Sequence, residues 1–294
     1  MMPTLRRPGV LPYLMTAPAH ILLALFILLP AVYVFALSFM QSSYGQDASF
    51  AGLENYAKIL GDRYFWASAW NTFIVVNAVV YIELALALGL TLLLPPPGAL
   101  TRIIVSIILL PYAVSEVVGV LMIKYMFDPG AGAIAYWLQA LGVPELQWTT
   151  QPGHALVLVI LLSVWLHTPF TFLIVYTARL GLPAELYEAA RTDGANAWQR
   201  FCHVTLPLLM PAILVAVVFR YIFAFRIFPE VWLLTQGGPA RQTEVLAVYL
   251  YKSAFRYYDY GMASATAWAM VVLSLLIAAA YLRSMYRRMF IHAH

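Results

Sequence analysis

Five ionisable side chains stand within or at the edge of long apolar runs: Glu83, Glu116, Arg220, Arg226 and Glu230. A charge at the centre of a bilayer costs about 2.5–3.5 kcal/mol on insertion scales, so each of these requires a partner or water. Two arrangements would satisfy them. In one, Glu83 or Glu116 pairs with Arg220, and Arg226 pairs with Glu230 four residues later on the same helix face. In the other, Glu116, Arg220 and Arg226 face a water-filled cavity together with Trp165, His167 and Tyr221. Such a cavity offers carboxylates, guanidinium forks and aromatic faces to a polar solute, and two arginines suit an anionic one.

Covalent chemistry has no comparable support. The six histidines, His20, His154, His167, His203, His292 and His294, form no HExxH pattern, and no GxSxG turn is present. Lys252-Ser253 is the one Lys-Ser step, and it follows Tyr251 where a phosphate loop needs glycine. The single Cys202 has no partner for a disulfide and no neighbours at zinc-ligand spacing, so it reads as structural and no metal site is expected. The 17 basic and 13 acidic residues leave a net charge of +4 without a basic run, which argues against nucleic acid.

The elements that must position these residues are membrane spans. Of the 294 residues only 10% are charged, against roughly 25% in soluble domains, and mean hydropathy is +0.80. Charge-free stretches run over 8–46, 64–82, 146–178, 201–219 and 260–282. Each approaches or exceeds the roughly 20 apolar residues of a spanning helix, and none alternates as a barrel strand does. The spacing predicts an all-α integral membrane protein with six transmembrane helices near 16–40, 71–94, 103–127, 154–180, 208–234 and 261–284, in a single domain over 1–294. The first run exceeds a signal-peptide core, so it reads as an uncleaved span despite the small-residue pattern at Val34-Phe35-Ala36.

Orientation follows from the basic residues, which concentrate on the cytoplasmic side. With both termini inside, the inner side carries nine: Arg6, Arg7, Arg102, Arg179, Arg191, Arg200, Arg283, Arg287 and Arg288. The outer side carries six, Lys58, Arg63, Lys124, Arg241, Lys252 and Arg256, offset by several carboxylates. The inner segment between the fourth and fifth spans is longer and more polar than a tight connection requires. Pro183 suits a first helical position, Glu185 and Glu188 suit early turns, and Arg191 suits the end. A short helix near 184–191 is predicted, ended by Asp193-Gly194, with a second helix over 197–205. Physics alone leaves two readings of this hairpin, an ordinary surface element or a bare Ala189-Ala190 face that a partner's groove approaches.

The pattern Glu188-Ala189-Ala190, Gly194, Val204 and Leu206-Pro207 resembles the EAA loop of permease subunits of bacterial ATP-binding-cassette (ABC) importers, with Val204 where Ile is usual. A second match, Phe228-Pro229-Glu230 through Gly237-Gly238-Pro239, is similar to carbohydrate-uptake permeases of the maltose and glycerol-phosphate type. Leu11-Pro12-Tyr13, Gly52-Leu53-Glu54-Asn55-Tyr56 and Leu110-Pro111-Tyr112 extend this likeness over nearly the whole chain. Pro229 departs from it, since that family commonly has an acidic residue there.

The resemblance implies a type I ABC importer permease fold in the bacterial inner membrane, with a cytoplasmic coupling loop over 183–207. It implies that Glu188, Ala189, Ala190, Asp193 and Gly194 couple to an ATPase, and that Glu230, Gly237, Gly238 and Pro239 shape an outer gate. It further implies a second, distinct six-span permease, two ATPase subunits holding ATP and Mg, and an extracytoplasmic solute-binding protein that delivers a sugar. This chain would itself bind no cofactor and perform no catalysis. Polyols or glycerol-phosphate compounds are alternative solutes. An ion-coupled carrier using Glu83 and Glu116 as proton sites is the alternative from another class, and it leaves the loop pattern unexplained.

Overall fold

A computed structural model of the chain describes residues 10–290. Arg6, Arg7, His292 and His294 lie outside the described residues, as do the side chains of Leu11, Pro12, Arg287 and Arg288. The sequence reads as one domain, yet the chain packs as two compact units. Among the described residues, 10–62 with 250–269 form the first, and 63–249 with 270–290 form the second.

In the first unit, α1 (Val10–Leu23) and α2 (Leu29–Leu37) join through a π turn, Ala24–Leu28, giving a continuous span, Tyr13–Leu37. Pro30 explains the wide turn, because a residue without an amide cannot bond four residues back and the ladder slips by one. The span's lipid-length window buries none of its residues within the chain. Strands β1 (Met40–Gln41) and β2 (Ser49–Phe50) then pair antiparallel, and α3 (Glu54–Gly61) follows. Asn55 Nδ2 pins α3 by donating to the carbonyls of Ser38 at 2.9 Å and Met40 at 2.8 Å. The Phe35 ring meets Trp268 edge-on at 4.9 Å, and Tyr260 N–H donates to the Ser42 carbonyl at 2.9 Å. Non-local contacts of this kind bring 250–269 to the N-terminal segment.

The second unit opens with α4 (Arg63–Leu93), which starts ahead of the predicted 71–94 span. Tyr64, Trp66 and Trp70 belong to its first turns, where interfacial aromatics continue a helix beyond the purely apolar window. The third predicted span, 103–127, is corrected to two helices, α5 (Ala99–Ala113) and α6 (Glu116–Met126), bent by 95°. Pro111 removes a ladder bond near the end of α5, and Val114 and Ser115 then take extended ψ values of 137° and 135°. After α7 (Ala133–Ala140), α8 (Pro152–Leu180) runs unbroken, with Pro152 in the first turn where its missing donor costs nothing.

The segment after α8 contains α9 (Ala184–Thr192), with Pro183 capping it from an extended conformation rather than occupying its first turn. Next, α10 (Ala197–Arg200), a π turn (Phe201–Thr205) and α11 (Leu206–Ala224) form one continuous helix, Ala197–Ala224. The π turn again precedes a proline, Pro207. The predicted 208–234 span therefore ends early, and α12 (Pro229–Leu234) is a separate short helix. The chain closes with α13 (Leu246–Phe255) and α14 (Tyr260–Phe290). Among the described residues five helices have the length and apolarity to cross a membrane, and six segments do when the bent α5–α6 pair is counted as one span.

The core of the second unit lies between α4 and α8. Val75, Val76, Val79, Val80, Glu83, Ala87 and Thr91 form one buried stripe on α4, and Ala155, Leu158, Val159 and Leu162 are buried on α8. Lipid tails are as apolar as these side chains, so close van der Waals packing and interhelical hydrogen bonds hold the pair rather than release from water. The polar members bond accordingly: Asn71 Nδ2 donates to the carbonyls of Gln242 at 2.9 Å and Glu244 at 3.0 Å, and Thr72 Oγ1 accepts from Leu246 N–H at 2.9 Å.

Candidate functional site

Breaks in two helices open a cavity. The chain leaves helical geometry at Val114–Ser115 and again between α11 and α12, and a space of about 580 Å³ lies between those breaks and α8. Glu116, His167, Arg220 and Arg226 line it, with Tyr112, Phe170, Phe223 and Phe228 as aromatic walls. Phe170 bridges the other rings, 6.4 Å from Tyr112 and 5.9 Å from Phe223 between centroids. Of the pathway residues predicted from sequence, Trp165 and Tyr221 are not among the lining residues. Tyr221 is buried on α11 and donates to Asn77 Oδ1 on α4 at 2.7 Å. Trp165 approaches Gly119 instead, within 3.4 Å of where a Cβ there would stand. Sequence reasoning missed Phe170 and Phe223, while Tyr112 and Phe228 stood in it only as members of the Leu110-Pro111-Tyr112 and Phe228-Pro229-Glu230 motifs.

The membrane charges divide between the two arrangements. Arg220 and Glu83 form a bidentate pair, Nε to Oε2 at 2.5 Å and a terminal nitrogen to Oε1 at 2.7 Å, both side chains almost wholly buried. Parallel N–H···O bonds of this kind satisfy the guanidinium fork and the carboxylate together. One edge of Arg220 still reaches the cavity lining. The expected Arg226–Glu230 pair is corrected. Residues 225–228 leave the helix, so the four-residue spacing no longer stacks the two side chains, and no ion pair joins them among the described residues. Glu230 Oε1 accepts instead from Ser163 Oγ at 2.9 Å. Glu116, His167 and Glu230 each bring one ligand-type atom within 4.8 Å of the others, the grouping best suited to hold a cation.

Further along the chain, α12 packs on α6, and Lys124 Nζ donates to the Leu233 carbonyl at 2.9 Å, serving the carbonyl end of that short helix. Gly237 has φ +84°, and Thr243 Oγ1 donates to the Gly238 carbonyl at 2.6 Å while bonding Thr235 Oγ1 at 2.9 Å. Gly237, Gly238 and Pro239 thus belong to one locally bonded turn region rather than to the cavity wall, whereas Glu230 reaches Ser163 of α8 beside the cavity.

The loop between α8 and α11 presents an exposed helix. None of α9 is buried; Glu188 and Ala189 are exposed and Ala190 is half-buried. Its end carries a paired closure, Gly194 N–H to the Arg191 carbonyl at 3.0 Å and Ala195 N–H to the Ala190 carbonyl at 2.9 Å, with Gly194 at φ +77°. Asn196 then caps α10 through reciprocal bonds with Gln199, of 2.8 and 2.9 Å. Tyr187 Oη meets Thr205 Oγ1 at 3.0 Å, which ties α9 to the helix that carries Arg220. Trp198 is exposed and leans on Phe201.

The family model for the binding-protein-dependent transport system inner membrane component matches residues 84–288. The sulfoquinovosyl glycerol transport system permease protein SmoG of Agrobacterium fabrum is 35% identical over 272 residues, covering 92% of this chain and 88% of that protein. The trehalose/maltose transport system permease protein MalF of Thermococcus litoralis is 33% identical over 281 residues, covering 94% of each. Among solved structures, a chain of a bacterial ABC transporter involved in the import of the acidic polysaccharide alginate aligns with a TM-score of 0.82. It covers 94% of this chain and 95% of that one at 22% identity, a likeness that carries the fold alone. The all-helical, six-crossing permease fold expected from the sequence is the fold of this chain. The chain belongs to the binding-protein-dependent transport system inner membrane components: it is a multi-pass membrane permease subunit, a transporter component without an ATPase site of its own.

Proposed function

We propose that this chain forms half of the translocation pathway of an ABC importer for a sugar or sugar derivative. A second, distinct permease supplies the other half, two ATPase subunits bind ATP with Mg at the cytoplasmic face, and an extracytoplasmic binding protein delivers the solute. Both termini are cytoplasmic. The observation that carries this reading is the cavity, which combines aromatic faces for a sugar ring with Glu116, His167 and Arg226 for its hydroxyl and acidic groups. The relatives named for sulfoquinovosyl glycerol and for trehalose/maltose support the carbohydrate class.

Glu188, Ala189, Ala190, Asp193 and Gly194 act as the coupling element, and the Tyr187–Thr205 contact passes its movement into the Ala197–Ala224 helix. A gate shifts only by the difference in affinity for its two states, so ATP must favour the outward-facing form through this contact. Glu230, Gly237, Gly238 and Pro239 serve the outer gate. Arg226, exposed to the cavity and outside the ion pairs of the described residues, supports an acidic solute.

The test is uptake into proteoliposomes holding the purified complex. Arg226→Ala lowers uptake of an anionic sugar while solute-stimulated ATP hydrolysis stays measurable. Unchanged uptake of every solute tried removes Arg226 from the pathway, and uptake by this chain without any ATPase supports an ion-coupled carrier instead.

A further inference from the structure

Three residues distant in sequence meet beside the cavity. Glu116 comes from the first turn of α6, His167 from the middle of α8 and Glu230 from the first turn of α12, with their ligand-type atoms within 4.8 Å of one another. Each is prepared to bind. His167 Nδ1 stands 3.0 Å from the Ser163 carbonyl, which only accepts, so Nδ1 holds the proton and Nε2 keeps its lone pair. Glu230 is 2% exposed, its Oε1 is taken by Ser163 Oγ, and its Oε2 has no hydrogen-bond partner among the described residues. A buried, unsatisfied carboxylate oxygen is rare without an ion or water to meet it. Ser163 therefore orients both the imidazole, through its carbonyl, and the carboxylate, through its hydroxyl, as outer partners of metal ligands do. Glu116 completes the set from the exposed side.

Charge points the same way. Glu83 and Arg220 neutralise each other, which leaves two carboxylates against Arg226 in the small recess that these residues share. We propose that Glu116, His167 and Glu230 form a three-ligand site for a divalent transition-metal ion of the Zn²⁺ class, with its fourth position open to the cavity. Ligands about 2.0–2.2 Å from such an ion stand about 3.4 Å apart in a tetrahedron, so binding draws together three atoms that already lie within 4.8 Å of one another. The imidazole disfavours Mg²⁺ and Ca²⁺, which take oxygen ligands. The site rests on these side chains alone and does not depend on which solute is carried.

The test titrates the full-length chain, purified in detergent, freed of any affinity tag and stripped with chelator. Calorimetry with ZnCl₂ reads affinity and stoichiometry, and CoCl₂ reads tetrahedral coordination from visible absorbance. The expected result is one more tight Zn²⁺ per chain than Glu116→Gln or His167→Gln retains, and about tenfold weaker binding in Ser163→Ala. Excess MgCl₂ does not compete, and the Co²⁺ bands vanish in His167→Gln. Glu116→Gln changes an exposed side chain, which keeps the comparison independent of folding. Equal Zn²⁺ affinity and stoichiometry in wild type and all variants overturns the site. Absence of saturable Zn²⁺ binding overturns it as well.

Discussion

Removing one member of the Glu83–Arg220 pair tests whether Arg220 serves the fold or the solute. The pair joins α4 to α11 through bonds of 2.5 and 2.7 Å, with side-chain exposures of 0% and 3%. Interhelical hydrogen bonds in membranes average about 0.6 kcal/mol, so two such bonds alone account for about 1.2 kcal/mol. The charge left behind dominates, because breaking a buried pair from one side costs about 3–5 kcal/mol. At about 1.4 kcal/mol per power of ten, Glu83→Gln and Arg220→Met each lower the folded-to-unfolded ratio by roughly two to three and a half powers of ten. Glu83→Leu/Arg220→Met removes both charges and is expected within about 1.5 kcal/mol of wild type, since apolar replacement of a buried pair is often neutral. The assay is unfolding in mixed micelles as denaturing detergent increases, followed by the fluorescence of the eight tryptophans. Additive losses in the double variant refute the pairing argument. So does a stable Arg220→Met whose only defect is uptake, which returns Arg220 to the solute pathway.

Two further predictions concern the inner loop. Gly194 has φ +77° with nothing near its Cβ position, so the constraint is the left-handed backbone rather than space. Gly194→Val costs about 1–2 kcal/mol locally, and membrane insertion is expected to persist while ATP hydrolysis becomes uncoupled from uptake. Normal uptake per ATP in that variant contradicts a coupling role for the turn. Asn196→Ala removes the cap of α10 and is expected to cost about 1 kcal/mol, read as faster amide exchange at the start of the Ala197–Ala224 helix. Unchanged exchange there shows that packing alone holds this end.

Much of the fold was legible because lipid imposes a strong filter. Charge-free length marks spanning helices, and the fourth span near 154–180 coincides with α8, Pro152–Leu180. Where helices break, hydropathy has no signal: Val114 and Ser115 interrupt a run that stays apolar on both sides. The same blindness hid the end of α11, and with it the reason that Arg226 and Glu230 do not stack. Local chemistry served better in the inner loop, where Asp193-Gly194 signalled the turn directly. The Glu116–His167–Glu230 grouping was not legible, since its members come from three elements and no spacing rule connects them. Sequence reasoning named all three residues, but as members of a pathway and a gate rather than as one cluster. Glu83–Arg220 stood as one of two open pairings, and only three-dimensional packing could choose between Glu83 and Glu116.

In the proposed importer, α9 is the part that a separate ATPase grips. Site-specific crosslinking from Ala189→Cys, in a Cys202→Ser background and in native membranes, measures it most directly, because Ala189 is exposed on α9 and Cys202 is the chain's single cysteine. The expected result is a crosslink to an ATP-binding subunit whose yield changes when ATP is bound. No crosslink from this helix to any ATP-binding protein, in membranes that actively take up solute, contradicts the claim.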